Sequence, residues 1–319
     1  MTTRDAQPRG AMLMEAHFYS DGCHLAGTLT EVPAPVAAAV VITGSGKLNR
    51  DSDARLGRRG PFILRTGVTR QVAEALGQAK VTALRYDKLG VGASGGDYLT
   101  AGLTENLAAA RTAVRWLEAR YPGLPILAVG HSEGTLHAAR LAADEPAVAG
   151  AVVLGAPARD GEQVITWQLE KIIPTLPKVV TTVVKLTGRD VAGIQRKRIQ
   201  QLKASATDVI RINGVRVNAR WFREFFVHDP SPDYARVEVP VLAITGGHDM
   251  QVPPEDVDVI GGLVRGPFEG HVVDDLSHLF RPDPGWKGPR GYRRSVRQPV
   301  SPKALALITE WAAAHWGSR

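Results

Sequence analysis

The chain has a single cysteine in 319 residues, so Cys23 has no partner for an internal disulfide and no cysteine-based zinc site can be assembled. Aromatic residues make up only 6% of it, and no uninterrupted apolar run reaches the ~20 residues that span a bilayer as a helix. The first ten residues, Met1 to Gly10, are polar and lack the apolar stretch of a secretory signal. A cytoplasmic protein without membrane insertion is expected. None of His131, His248, His271, His278, Asp249, Asp256, Asp274 and Asp275 shows i, i+4 spacing within a helical pattern or other metal-ligand spacing, so neither metal nor cofactor is expected. Internal repeats and low-complexity segments are also missing.

Acidic charge is in short supply too, with 32 Asp and Glu against 39 Lys and Arg, a net charge of +7. The excess is local. Residues 156–235 hold thirteen basic against eight acidic side chains and residues 281–297 hold six against one, while the remainder is slightly acidic. Neither segment interleaves its charge with a single-strand stacking platform or a nucleic-acid motif, which excludes nucleic acid as the expected partner. A small-molecule substrate, anionic if the two basic segments border its cleft, fits this distribution better.

Hydrophobic residues form 44% of the chain, enough for a substantial core. Two short runs, Glu15 to Ser20 and Leu25 to Thr30, flank Asp21-Gly22 and predict an opening hairpin. Short apolar runs rich in β-branched residues follow at Val36–Thr43, Val81–Tyr86, Pro125–Val129, Ala149–Leu154, Pro240–Thr245 and Gly270–Asp274. Their lack of polar alternation predicts strands buried on both faces. Helical patterns separate them at Val68–Gln78, Leu103–Arg120 and Thr135–Asp144. Alternating strands and helices predict a mostly parallel, doubly wound α/β sheet. The alternation stops after the sixth strand. Residues 156–235 carry successive helix-like patterns around Ile172–Val184, Arg196-Lys197-Arg198 and Trp221–Phe226, and are expected to form a helical cap. Pro174 and Pro177 are expected to kink the first of these helices or delay its start. Residues 1–155 and 236–319 then form the core domain.

The pentapeptide Gly130-His131-Ser132-Glu133-Gly134 sits between an apolar strand and a helix. A serine held on a sharp strand-to-helix turn needs small neighbours, and the helix N-terminus beneath it favours negative charge. Ser132 is therefore the expected nucleophile. Gly92-Ala93-Ser94-Gly95-Gly96 has the same pattern but no helix behind it, and Ser94 is expected in a turn. A serine hydroxyl needs a base, a group that orients the base, and donors for the oxyanion. Asp249 follows the strand ending at Thr245, and His278 follows the next strand, which supplies acid and base in the order found in strand–turn–helix serine hydrolases. Asp274, Asp275 and Asp256 are the alternative acids and His248 the alternative base. The backbone N–H groups of Glu133 and Ser45 are the expected oxyanion donors, with Gly46 the alternative to Ser45. Trp221, Phe222, Phe225 and Phe226 are expected to build the cap's own core, with one or two of them lining an acyl pocket.

These residues resemble the α/β-hydrolase family over nearly the whole chain. Gly44-Ser45-Gly46 with Arg50-Asp51, the run Arg85 to Gly96, the serine pentapeptide and Ser277-His278-Leu279-Phe280 look like bacterial esterases related to serine aminopeptidases and acylaminoacyl-peptidases. The resemblance implies Ser132, Asp249 and His278 as a triad and hydrolysis of an ester, thioester or amide. Lys47-Leu48-Asn49 and Ser277 depart from its usual pattern. Arg50, Asp51 and Asp87 are expected to brace loops. A peptidase, a pathway thioesterase or acyltransferase, and a non-catalytic ligand-binding protein on the same fold are the rival readings.

Overall fold

A computed structural model describes residues 10–56, 62–175, 191–285 and 287–317. The chain opens with β1 (Met12–Ser20) and β2 (Cys23–Glu31), antiparallel around Asp21-Gly22. It continues through β3 (Ala37–Ile42), the short pair β4 (Ala54–Leu56) and β5 (Phe62–Leu64), α1 (Val68–Gln78), β6 (Val81–Tyr86), α2 (Leu103–Arg120), β7 (Ile126–His131), α3 (Glu133–Asp144) and β8 (Val148–Leu154). After an insertion the sheet resumes with β11 (Val241–Gly246), α8 (Asp256–Leu263) and β12 (Phe268–Val273), and α9 (Gly288–Ser295) and α10 (Pro302–Trp316) end the fold.

Eight of the strands form one sheet in the order β1-β2-β6-β3-β7-β8-β11-β12. The pairings from β6 to β12 are parallel, and those of β1 with β2 and of β2 with β6 are antiparallel. Period-two alternation divides the interior cleanly. Ala38, Val40 and Ile42 of β3 pack with the buried faces of α2 and α3 on one side. Ala37, Ala39 and Val41 pack with Val72 and Leu76 of α1 and with Ile308 and Trp311 of α10 on the other. This is the doubly wound α/β architecture, and it explains why the central strands read as continuous apolar runs. The run expected at Gly270–Asp274 is instead the edge strand β12, exposed at Glu269, Gly270 and Val272, so it is not buried on both faces.

The insertion follows β8, the sixth strand of the main sheet in chain order. It contains α4 (Gly161–Ile172), a short 3-10 turn Ile173–Thr175, α5 (Val191–Lys203), a hairpin of β9 (Val209–Ile212) and β10 (Val215–Asn218), α6 (Ala219–Val227) and α7 (Ser231–Tyr234). Three points differ from expectation. The first helix begins early, at Gly161, because Asp160 caps it by accepting from Gln163 N at 2.9 Å. It ends at Ile172, and the chain tightens into the 3-10 turn Ile173–Thr175, where Pro174 has no N–H to continue the α-helical ladder. The β9–β10 hairpin turns on Asn213-Gly214, both at positive φ, in a segment expected to be helical. Leu176, Pro177, Val180, Val183 and Val184 lie outside the described residues. Among the described residues no helix is long and apolar enough to cross a membrane.

Candidate active site

β7 delivers the chain to Ser132 and α3 leaves from it at once, so the turn has no spare residue. Ser132 takes φ 55° and ψ −124°, an unusual conformation for a side-chain-bearing residue. Two contacts permit it. A Cβ on Gly130 would lie 2.2 Å from the Gly134 carbonyl oxygen, and one on Gly134 would lie 2.4 Å from the Ile42 carbonyl oxygen. The serine is locked from below by Ser132 N donating to Leu154 O at 2.9 Å. Glu133 is the first residue of α3, and the first N–H groups of a helix have no partner within it.

Asp249 and His278 meet on the same sheet edge. His278 Nδ1 lies 2.7 Å from Asp249 Oδ2, and both side chains are buried. The other carboxylate oxygen accepts from Gln251 N at 2.7 Å and Val252 N at 3.0 Å. A carboxylate only accepts, so the proton between the pair belongs to Nδ1 and the Nε2 lone pair is left to take a proton. Gly155, at the end of β8, makes room for the pair: its φ is 61°, and a Cβ there would lie 3.1 Å from the His278 ring. Ser132, His278, Gly44, Ser45, Leu279 and Tyr292 line one cleft of about 180 Å³.

Of the alternative groups, Asp274 and Asp275 are exposed, and His248 and Asp256 are held by other partners. His248 Nδ1 donates to Asp283 O at 2.7 Å, and its other nitrogen faces the exposed Asp275 at 3.7 Å. Asp256 is buried against Arg159 and accepts from Ala158 N at 2.9 Å. His131 donates through Nε2 to the His278 carbonyl at 3.0 Å and packs its ring 4.9 Å from that of His278. Burial, followed by the His278 charge, lowers the His131 pKa to about 3, so it serves as a neutral brace for the His278 loop.

A polar knot joins the two expected oxyanion walls. Lys88, buried, donates to Gly44 O at 2.6 Å and lies 3.5 Å from Glu133 Oε1. Asn106 and His137 also reach Glu133 Oε1, and the Trp221 indole donates to Glu133 Oε2 at 3.1 Å. Burial opposes ionisation of Glu133, but the Lys88 charge and the bond from His137 outweigh it and hold its carboxyl below the usual value. Through Trp221 the insertion therefore rests on the residue after Ser132. Through Gln168, which donates to Gln251 O at 2.8 Å, it also rests on the Asp249 loop. Sequence reasoning missed Lys88, Gln168 and Gly155, because each acts on a neighbour distant in sequence.

The four aromatics of α6 divide in two. Phe225 and Phe226 are buried in a cluster that the insertion shares with Leu103 of α2 and Leu136 of α3, so they pack the insertion onto the sheet's helices and do not form a core of its own. Trp221 and Phe222 line a groove of about 900 Å³ that begins at Ser45. The basic loop after His278 behaves differently from expectation at its start. Arg281 is buried and donates to the carbonyls of Gln298, Leu279 and Thr66, so it is structural and does not edge the cleft. The Arg290 side chain lies outside the described residues. Arg50 and Ala93 both bind the Asp87 carboxylate and Arg85 pairs with Asp51, so all these charges fasten loops.

Residues 63–279 match the family described as serine aminopeptidase, S33. The chain belongs to that family. Along 286 residues, 89% of this chain, it is 26% identical to esterase EstD of Thermotoga maritima. The chain spans 64% of the length of that curated relative. Est1E of Butyrivibrio proteoclasticus with bound ferulic acid superposes with a TM-score of 0.63 at 16% identity, over 95% of this chain and 100% of that one. The Pyrococcus furiosus esterase Pf2001 superposes at 0.60 and 16% identity, over 99% of this chain and 96% of that one. These likenesses establish the α/β-hydrolase fold for this S33-family hydrolase. Among the described residues no three or more His, Cys, Asp or Glu side chains gather into a set able to hold a metal ion.

Proposed function

We propose that the protein is a serine esterase that cleaves a carboxylic ester through an acyl-enzyme on Ser132, with residues 156–235 capping a core of residues 1–155 and 236–319. The observation that carries the reading is the buried His278–Asp249 pair at 2.7 Å, set in one cleft with a serine at φ 55°. Ser132 Oγ attacks the ester carbonyl carbon while its proton passes to His278 Nε2, and the carbonyl electrons move onto oxygen. The N–H groups of Ser45 and Glu133 receive that oxyanion, and Lys88 holds the Ser45 loop by the Gly44 carbonyl. Collapse expels the alcohol, which takes the proton back from His278. Water then repeats the sequence on the acyl-enzyme, releasing the acid and freeing Ser132. Asp249 fixes the tautomer and steadies the imidazolium.

The likeness to EstD supports an ester as substrate. An aminopeptidase would have to receive a free ammonium group, for which a carboxylate is the natural partner. Among the described residues lining the 180 Å³ cleft and the 900 Å³ groove there is no Asp or Glu, which favours an ester over a peptide. Hydrolysis of 4-nitrophenyl esters by the wild type, absent in Ser132→Ala, tests this. Turnover surviving that substitution would refute it.

A further inference from the structure

The groove leading away from Ser45 has an aromatic floor and a cationic rim. Trp221 and Phe222 form the floor, and Lys47, Arg211 and Arg216 line the same space. Elsewhere arginines are mostly tied to carboxylates, as in Arg111 with Asp144 and Glu145, Arg159 with Asp256, and Arg220 with Glu105 and Glu224. The groove cations are held by neutral groups or by none. Lys47 Nζ sits 5.0 Å over the Tyr98 ring, Arg211 donates to Gly214 O at 3.2 Å, and Arg216 has no partner among the described residues. Arg211 and Arg216 also face each other directly across the β9–β10 hairpin. Like charges directly opposite in a ladder are destabilising, and here no carboxylate on the groove relieves them.

The groove's position decides which half of an ester it meets. The leaving alcohol must receive its proton from His278, so it departs on the His278 side. The groove shares Ser45 with the cleft that holds Ser132 and takes no lining residue from the His278 loop, so it is assigned to the acyl half. The Trp221 indole is fixed by Glu133, so the floor is registered to the reacting carbon rather than free to drift.

We infer that the groove binds the far end of the acyl chain, and that this end carries an anionic group, a carboxylate being the smallest, held by Lys47, Arg211 and Arg216. This rests on the acyl-enzyme reading above. The apolar chain lies along Trp221 and Phe222, and the anion relieves the cross-strand repulsion of the two arginines. Because the rim is exposed, its attraction is screened by salt: the Debye length falls from about 10 Å at 0.1 M to about 3 Å at 1 M.

The test compares kcat/KM for 4-nitrophenyl hydrogen suberate with that for its neutral match, 4-nitrophenyl octanoate. In the triple variant Lys47→Gln, Arg211→Gln, Arg216→Gln the ratio of suberate to octanoate should fall about tenfold or more, as removal of three exposed contacts allows. A control triple, Arg196→Gln, Lys197→Gln, Arg198→Gln, removes the same charge from three exposed positions of α5 and should leave the ratio unchanged. The groove triple should melt no earlier than the wild type, since it removes a like-charge pair. Added salt should lower the wild-type ratio and not that of the groove triple. An equal fall in both triples, or no fall in the groove triple, would overturn the inference while leaving the esterase reading standing. A wild type that turns over neither ester would overturn the reading beneath it as well.

Discussion

The same five-residue pattern occurs twice, and the two serines at its centre have opposite fates. Ser94 Oγ donates to Asp87 O at 2.7 Å and accepts from Ala26 N at 2.9 Å, so its hydroxyl is spent on holding a loop to β2. Around it Asp87 gathers Arg50 and the Ala93 amide into a tight turn. Ser132 is instead held by its backbone, through the Leu154 carbonyl and the start of α3, and its side chain stands in a cleft with His278. Its conformation costs on the order of 1–3 kcal/mol, which the packed strand and helix on either side sustain. A serine whose hydroxyl is consumed by structure cannot be a nucleophile, whereas one whose position is fixed through its backbone can.

The largest expected effect separates these two serines. Ser132→Ala should reduce ester turnover by on the order of a millionfold with the fold retained. Ser94→Ala should keep most activity and lower unfolding stability by about 1–2 kcal/mol, as two hydrogen bonds go and Ala26 N loses its acceptor. Denaturant melts beside steady-state rates read both. A reversed pattern would exchange the roles of the two motifs.

Next in size is the acid. Asp249→Asn leaves the shape but permits the wrong imidazole tautomer, so kcat should fall by about 10⁴. Asp275→Asn, on an exposed carboxylate 3.7 Å from His248, should stay within about twofold. Smaller again is the knot behind the proposed oxyanion walls. Lys88→Met should lower kcat about a hundredfold with little change in KM, because it loosens the Gly44–Ser45 loop, and Lys88→Arg should restore part of the loss. An effect on KM alone would assign Lys88 to substrate binding.

The smallest effect concerns pH and stability. His131 is lowered in the folded state from 6.5 to about 3, so between those values the unfolded chain binds a proton that the native one refuses. Its stabilising contribution is complete above about pH 6.5 and is lost as pH falls towards 3. His131→Gln, which keeps an N–H donor for the His278 carbonyl, should flatten that part of the stability–pH curve in denaturant titrations. An unchanged slope would mean that His131 is already charged in the native protein.

Much of this was legible in the sequence because it is local. The helices Val68–Gln78 and Leu103–Arg120 were readable to the residue from apolar spacing, and β3, β6, β7, β8 and β11 from apolar runs that both faces of the sheet demand. The serine pentapeptide was readable from the strand before it and the helix after it. The β9–β10 hairpin carried a usable signal, Asn213-Gly214 between alternating Val, Ile and Arg, that the aromatic and basic helix-like patterns on either side obscured. The Trp221–Glu133 and Gln168–Gln251 contacts carried none. They join residues that only the folding of the insertion back onto the sheet brings together, and single-chain periodicity contains no record of such pairing.

The central claim is that Ser132, and not Ser94, is the activated nucleophile. Incubating the protein with a tagged fluorophosphonate and mapping the modified peptide by mass spectrometry tests it directly. One equivalent should be incorporated on the peptide containing Ser132, with labelling lost in His278→Ala and kept in Ser94→Ala. A label on the peptide containing Ser94, or labelling of Ser132 that persists undiminished without His278, would contradict the account.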